Sequence, residues 1–347
     1  MGITKRHFGT TAGHDVNLYT LTNEHGIEVR ITNYGGALVS LKAPDRRGEF
    51  ADVALGFETL EQYVSNPRYF GGLIGRHANR IGLGKFLLDG TEYQLTQNNG
   101  GNHLHGGARG FDKRVWKARE ESSEQAVALR LEYLSVDGEE GYPGNVIANV
   151  TYTLRPDNEV EINYEATTDR DTIVNMTSHA YFNLAGAGDI LGHQLTLHAD
   201  AFTPVTKELI PTGEIRPVEK TPMDFRRAKA IGADLSEAGG YDHNFVLQGY
   251  DGAHDNCSLR PAARLYEPQS GRVLEILTTE PGIQFYSGNF LDGSLTGKGG
   301  VVYHKYTGLC LEPQHFPDAP NHPNFPSTVL RPGETYKHVS KYRFSCS

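Results

Sequence analysis

Glu312 closes the apolar run at residues 308–311 and stands just before PQHFPDAPNHPNFPS, residues 313–327. Each proline in that segment removes a backbone donor and fixes φ, so a stiff loop is expected there, not a helix or central strand. A carboxylate at a strand end beneath such a loop is placed for general-base work; the plainer alternative is a rim glutamate beside a surface loop. His179, within Thr177-Ser178-His179-Ala180-Tyr181-Phe182, is a second group able to move protons near neutral pH. Tyr181 is expected on the same strand face, giving one wall with an aromatic surface and a proton donor. Taken alone, His179 fits a semi-buried structural histidine equally well.

Asn79, Arg80, His105, Asp242 and Gln284 are of the types that hold vicinal hydroxyls through paired hydrogen bonds. Asp242 would serve equally as a turn cap, and Gln284 as an ordinary strand residue. His103-Leu104-His105 is expected to present both imidazoles on one strand face, which invites a metal reading. Gly106-Gly107-Ala108-Arg109 follows in place of a carboxylate, and an arginine repels a divalent cation, so no metal is expected. His103 is expected to hydrogen-bond to a nearby turn.

These residues lie in islands rich in glycine, histidine and amides, at 33–36, 75–81, 98–113, 177–186, 240–245 and 281–293. Between the islands apolar residues alternate with period two, the mark of half-buried strands. Residues 18–21 and 27–31 form a hairpin around Asn23-Glu24-His25-Gly26. Residues 86–88 and 93–95 form another around Asp89-Gly90, whose residue types suit a two-residue turn with positive φ. Val127 to Tyr133 alternates, as do Val146 to Leu154 and Val160 to Tyr164; late strands are expected at 272–277, 282–286 and 307–311. Helical pattern is confined to 59–64 and 226–237. The expectation is an all-β, mostly antiparallel fold in which sheets cover each other, one domain over residues 1–347.

Composition narrows the function. The 40 glycines in 347 residues suit a turn-dense chain, and a net charge of −9 without a basic run makes nucleic acid and anionic membranes unsuitable partners. Cys257, Cys310 and Cys346 are too few and too scattered for a disulfide framework or zinc knuckle. The odd count fits a reducing compartment. With a polar opening stretch and no apolar run of spanning length, a soluble, cytoplasmic protein is expected. Monomer and homodimer are equally compatible with the sequence.

Read in order, ANRI at 78–81, LHGG and GFDK before Trp116, SHAYFNLAG, GYDHNF, PGIQFYSGNFLDG and LEPQ with PDAPNHPNFPS closely resemble the galactose mutarotase, or aldose 1-epimerase, family. The likeness runs from about residue 33 to residue 327. It implies a large antiparallel β-sandwich with a sugar cleft on one concave sheet. It also implies interconversion of the α and β anomers of free aldohexoses such as galactose and glucose. Under that resemblance Glu312 is the base and His179 the acid, while Asn79, Arg80, His105, Tyr181, Asp242 and Gln284 hold the monosaccharide. His77 departs from the small apolar residue many relatives carry, and the doubled Gly100-Gly101 is expected at the cleft rim.

Such a reaction moves protons only, so no cofactor is expected, and no phosphate-cradling glycine loop is evident. A phosphosugar epimerase would gather cations at one end of the cleft, with Arg76, Arg109 and Lys113 as candidates. A sugar-binding domain without activity would have no use for both Glu312 and His179. With Glu312 ionised and His179 protonated, the acid limb of a pH profile is expected from the carboxylate and the basic limb from the imidazole.

Overall fold

The computed structural model describes residues 1–123, 125–250 and 258–347; Cys257 lies outside the described residues. Local chemistry sets the hairpins. Asp89 and Gly90 both take positive φ (47° and 80°) and pair Leu88 with Thr91, the twist that lets two strands turn in two residues. In the first hairpin the Asn23 side chain accepts from the backbone N–H of His25 and Ile27, and Leu18 pairs with Thr32. A strand the alternation did not reveal, Gly2–Thr11, pairs along His14–Thr22; it is largely exposed, so it carries no apolar stripe.

Among the described residues helix is confined to short pieces. Leu60–Val64 begins at a capping box between Thr59 and Gln62. The 226–237 expectation shrinks to Leu235–Ala238, ended by Gly239 in the left-handed conformation. Among the described residues no helix is long and apolar enough to cross a membrane.

The main layers are antiparallel. A nine-stranded sheet runs, in spatial order, Lys117–Ser122, Val127–Ser135, Val146–Leu154, Glu159–Thr168, Tyr336–Cys346, Arg272–Thr278, Arg260–Tyr266, Gln194–Leu197 and Lys229–Ala230. A six-stranded sheet runs Tyr181–Phe182, Leu309–Gln314, Gly282–Tyr286, Asp242–Leu247, Ala199–Thr203 and Arg216–Pro217. One apolar cluster joins them: Leu129, Val150, Ile162 and Leu274 from the first with Phe245, Ile283, Phe285, Leu309 and Leu311 from the second. Val29 and Ile31 of a further five-stranded sheet complete it. Because side chains alternate along a strand, the residues between these core positions, Cys310, Glu312, Gln284 and Tyr286, face the other way.

One expectation fails here. Residues 313 and 314 do not begin a loop: the strand is Leu309–Gln314, and Pro313 sits opposite Ile283. The ladder on the strand's other flank has stopped by then, since Tyr181–Phe182 pairs only with Cys310 and Leu309. A proline is tolerated where a flank is unpaired. Glu312 is therefore inside a strand and held on a rigid element.

Candidate active site

A cleft of about 560 Å³ opens on the outer face of the six-stranded sheet and includes Asn79, Arg80, His105, His179, Tyr181, Asp242 and Glu312 in its lining. Seven of the eight residues singled out above thus converge. The eighth, Gln284, lies beneath: its Nε2 donates to Asp242 Oδ1 at 2.7 Å, and Gln284 is opposite Glu312 in the ladder.

Glu312 is 2% exposed and His179 5%. His179 Nε2 lies 3.9 Å from Glu312 Oε2, too far for a hydrogen bond and close enough for one substrate to touch both. On the far side of the ring, Cys310 Sγ is 3.5 Å from His179 Nδ1. Backbone bonds lock the histidine in place, its N–H donating to Gly72 O and its carbonyl accepting from Gly71 N–H.

Burial raises the Glu312 carboxyl well above the usual carboxylate range; Asp242 adds to the rise and the Arg80 guanidinium opposes it. Burial also depresses His179, to about 4. Desolvation thus disfavours the charged form of each and favours a neutral imidazole beside a protonated carboxyl, opposite to the ion pair expected from the residue types.

His103 and His105 do not share a face. The strand is only His103–Leu104, and His105 turns out of it at φ 52°. His103 lies away from the cleft, bonded through Nδ1 to Thr96 O and through Nε2 to the Tyr142 hydroxyl, each at 2.6 Å. His105 Nδ1 accepts from the Asn79 backbone N–H at 3.2 Å, which leaves its Nε2 carrying the proton. Burial, with His179 and Arg80 nearby, holds His105 well below the usual imidazole range, so it is a neutral donor. Arg80 reaches Asn99 Oδ1 through Nε at 3.2 Å and stands 3.8 Å from Asp242 Oδ2.

Sequence reasoning missed Tyr69, whose ring centroid is 4.6 Å from that of His105 and 5.7 Å from that of His179. Asn99, Lys207 to Leu209, Tyr286 and Phe290 also line the cleft. Tyr286 and Phe290 sat within an island already marked; Tyr69 carried no signal beyond its type. Gly100 and Gly101 are at the cleft, as expected. Arg76, Arg109 and Lys113 do not line it: Arg76 is spent on Ser135 and the Pro143 and Gly144 carbonyls, and Lys113 on Asp112 and Asn66 O.

The chain is an antiparallel sandwich with a buried carboxyl and imidazole facing each other in a polar, aromatic-walled cleft, an arrangement able to exchange protons with a bound molecule. The aldose 1-epimerase family model matches residues 17–343, and on that basis the chain belongs to the aldose 1-epimerase family. It is similar to the galactose mutarotase of Sus scrofa, at 46% identity over 99% of both chains. Among solved structures, an aldose epimerase homologue from C. elegans matches with TM-score 0.87 and 32% identity, over 95% of this chain and 99% of the other. A galactose 1-epimerase from Lactobacillus acidophilus matches with TM-score 0.87 and 28% identity, over 100% and 99%.

Proposed function

We propose that Glu312 and His179 are the proton-transfer pair through which this isomerase interconverts the α and β anomers of a free aldohexose. Anomer interconversion of aldoses is the activity that goes with the family and with the mutarotase relatives. In ring opening, Glu312 takes the proton from O1 while His179 delivers one to the ring oxygen O5. The C1–O5 pair stays with O5, and the former O1–H pair completes the C1=O1 bond. Rotation about C1–C2 and reversal of both transfers on the other face give the second anomer. Atoms and charge balance without an oxidant or a reductant.

The carrying observation is the 3.9 Å separation of Glu312 Oε2 and His179 Nε2 at the floor of the cleft. The pair shares one proton in every productive state. Burial favours that proton on Glu312, the state that follows ring opening and precedes closure; opening proceeds from the tautomer with the proton on His179. Asn79, Arg80, His105 and Asp242 hold hydroxyls, Tyr181 with Tyr69 walls the ring, and Gln284 positions Asp242. C1 stays free to turn. We also read residues 1–347 as one cytoplasmic domain, in keeping with the shared apolar cluster and the free thiols of Cys310 and Cys346.

Polarimetry of freshly dissolved α-D-galactose tests the reading. The protein is expected to speed the approach to equilibrium rotation; a trace at the spontaneous rate would leave a sugar-binding domain and overturn the proposal.

A further inference from the structure

We propose that Glu280, His315 and His338 form a binding site for a divalent d-block cation of the zinc class, separate from the sugar cleft. Glu280 lies in the turn between Arg272–Thr278 and Gly282–Tyr286, His315 follows Leu309–Gln314, and His338 is in Tyr336–Cys346. Three chain segments far apart in sequence, drawn from both large sheets, thus bring two imidazoles and a carboxylate together. One potential ligand atom from each lies within 4.8 Å of the others. The carboxylate, on a residue 1% exposed, turns one oxygen to each ring: Oε2 is 2.6 Å from His315 Nδ1 and Oε1 is 3.4 Å from His338 Nδ1.

One outer group orients this set: the Tyr336 hydroxyl donates to Glu280 Oε1 at 3.1 Å. Thr279 Oγ1, 3.2 Å from His338 Nδ1, shares the nitrogen that faces the carboxylate and would give way to an ion there. Both histidines border a second cavity of about 690 Å³, which supplies an entry path and room for a water as a further ligand. Tetrahedral coordination at about 2.0–2.2 Å spaces ligand atoms about 3.3 Å apart, reached here by small side-chain movements. Two nitrogens with one oxygen favour zinc-like ions; magnesium and calcium call for oxygen throughout. Bound there, the ion would tie the two sheets together at the end of the strand that carries Glu312.

His179, Cys310 and Glu312 also converge within 4.8 Å, so the test must separate the two places. Untagged protein, stripped with chelator, is titrated with Co²⁺ and followed by visible absorption, then with Zn²⁺ and followed by Tm. One Co²⁺ per chain is expected, with d–d bands and no thiolate charge-transfer band. Saturating Zn²⁺ should raise Tm by about 3 °C or more. His338→Ala and Glu280→Gln should each weaken binding at least tenfold, since even the loss of an outer partner costs about 10–100-fold. Either variant should still speed mutarotation, which also reports that it folds. Three results would overturn the site: no saturable band up to about 1 mM Co²⁺ (at or beyond the weak limit of ordinary affinities), binding unchanged in both variants, or a thiolate band abolished by Cys310→Ser.

Discussion

At the scale of single residues, the proposed mechanism turns on one proton. Adding a second proton to the pair blocks the imidazole as acceptor, and removing the shared one leaves nothing to donate. With His179 held to about 4 and Glu312 raised by burial, kcat/KM should fall on the acid side near the histidine value and on the alkaline side with the carboxyl. Glu312→Gln should lower kcat by at least ~100-fold and erase the alkaline limb from the remaining rate. A residual profile with that limb intact would assign it to another group. Gln284 gives a contrasting case, since it lies behind the cleft lining and donates to Asp242. Gln284→Leu should raise KM about tenfold, the worth of one hydrogen bond to a charged group, with kcat little changed. A fall in kcat at constant KM would contradict a positioning role.

At the scale of elements, the cleft is held by backbone that ordinary strands do not use. Tyr69, Asn79 and His105, all non-glycine, take positive φ of 60°, 61° and 52°, conformations sustained only when the surroundings over-determine them. The turn after His105 shows how tight those surroundings are. Gly106 has φ +84°, and a Cβ there would lie 1.8 Å from the Gly75 carbonyl oxygen. Gly106→Ala should therefore destabilise the fold by about 3 kcal/mol, measured by urea unfolding, and displace His105 from the cleft. Unchanged stability would mean that this turn relaxes freely.

Across the whole molecule, several histidines are buried as neutral rings. Burial depresses His77 to about 3, and His103, His179, His193 and His338 to about 4. The unfolded chain binds protons at these rings near 6.5, so between about 6.5 and 4 it holds more protons than the folded chain. Stability is full above that window and declines as pH falls through it. Unfolding free energy should drop by at least about 3 kcal/mol between pH 7 and pH 5, from urea titrations at each pH. A flat profile would show that these rings titrate normally in the fold.

Much of this molecule is local and so legible in the chain. Asp89-Gly90 dictates its turn because backbone sterics act within two residues, and alternation marks the strands because one face of each is buried. That Glu312, His179 and their neighbours would gather was legible through the family resemblance of long, ordered motifs, since each residue type taken alone fits a structural role equally well. Other features depend on distant partners. Pro313 continues a strand because its neighbour, more than 130 residues earlier, has ended. His103 and His105 part because a loop contact with Asn79 turns one of them aside, and Tyr69 enters the cleft through packing alone. The direction in which each of the two groups shifts likewise comes from desolvation, a property of everything packed around a group. Sequence determined which groups could act; tertiary structure decided which ones meet, and in which protonation state they do so.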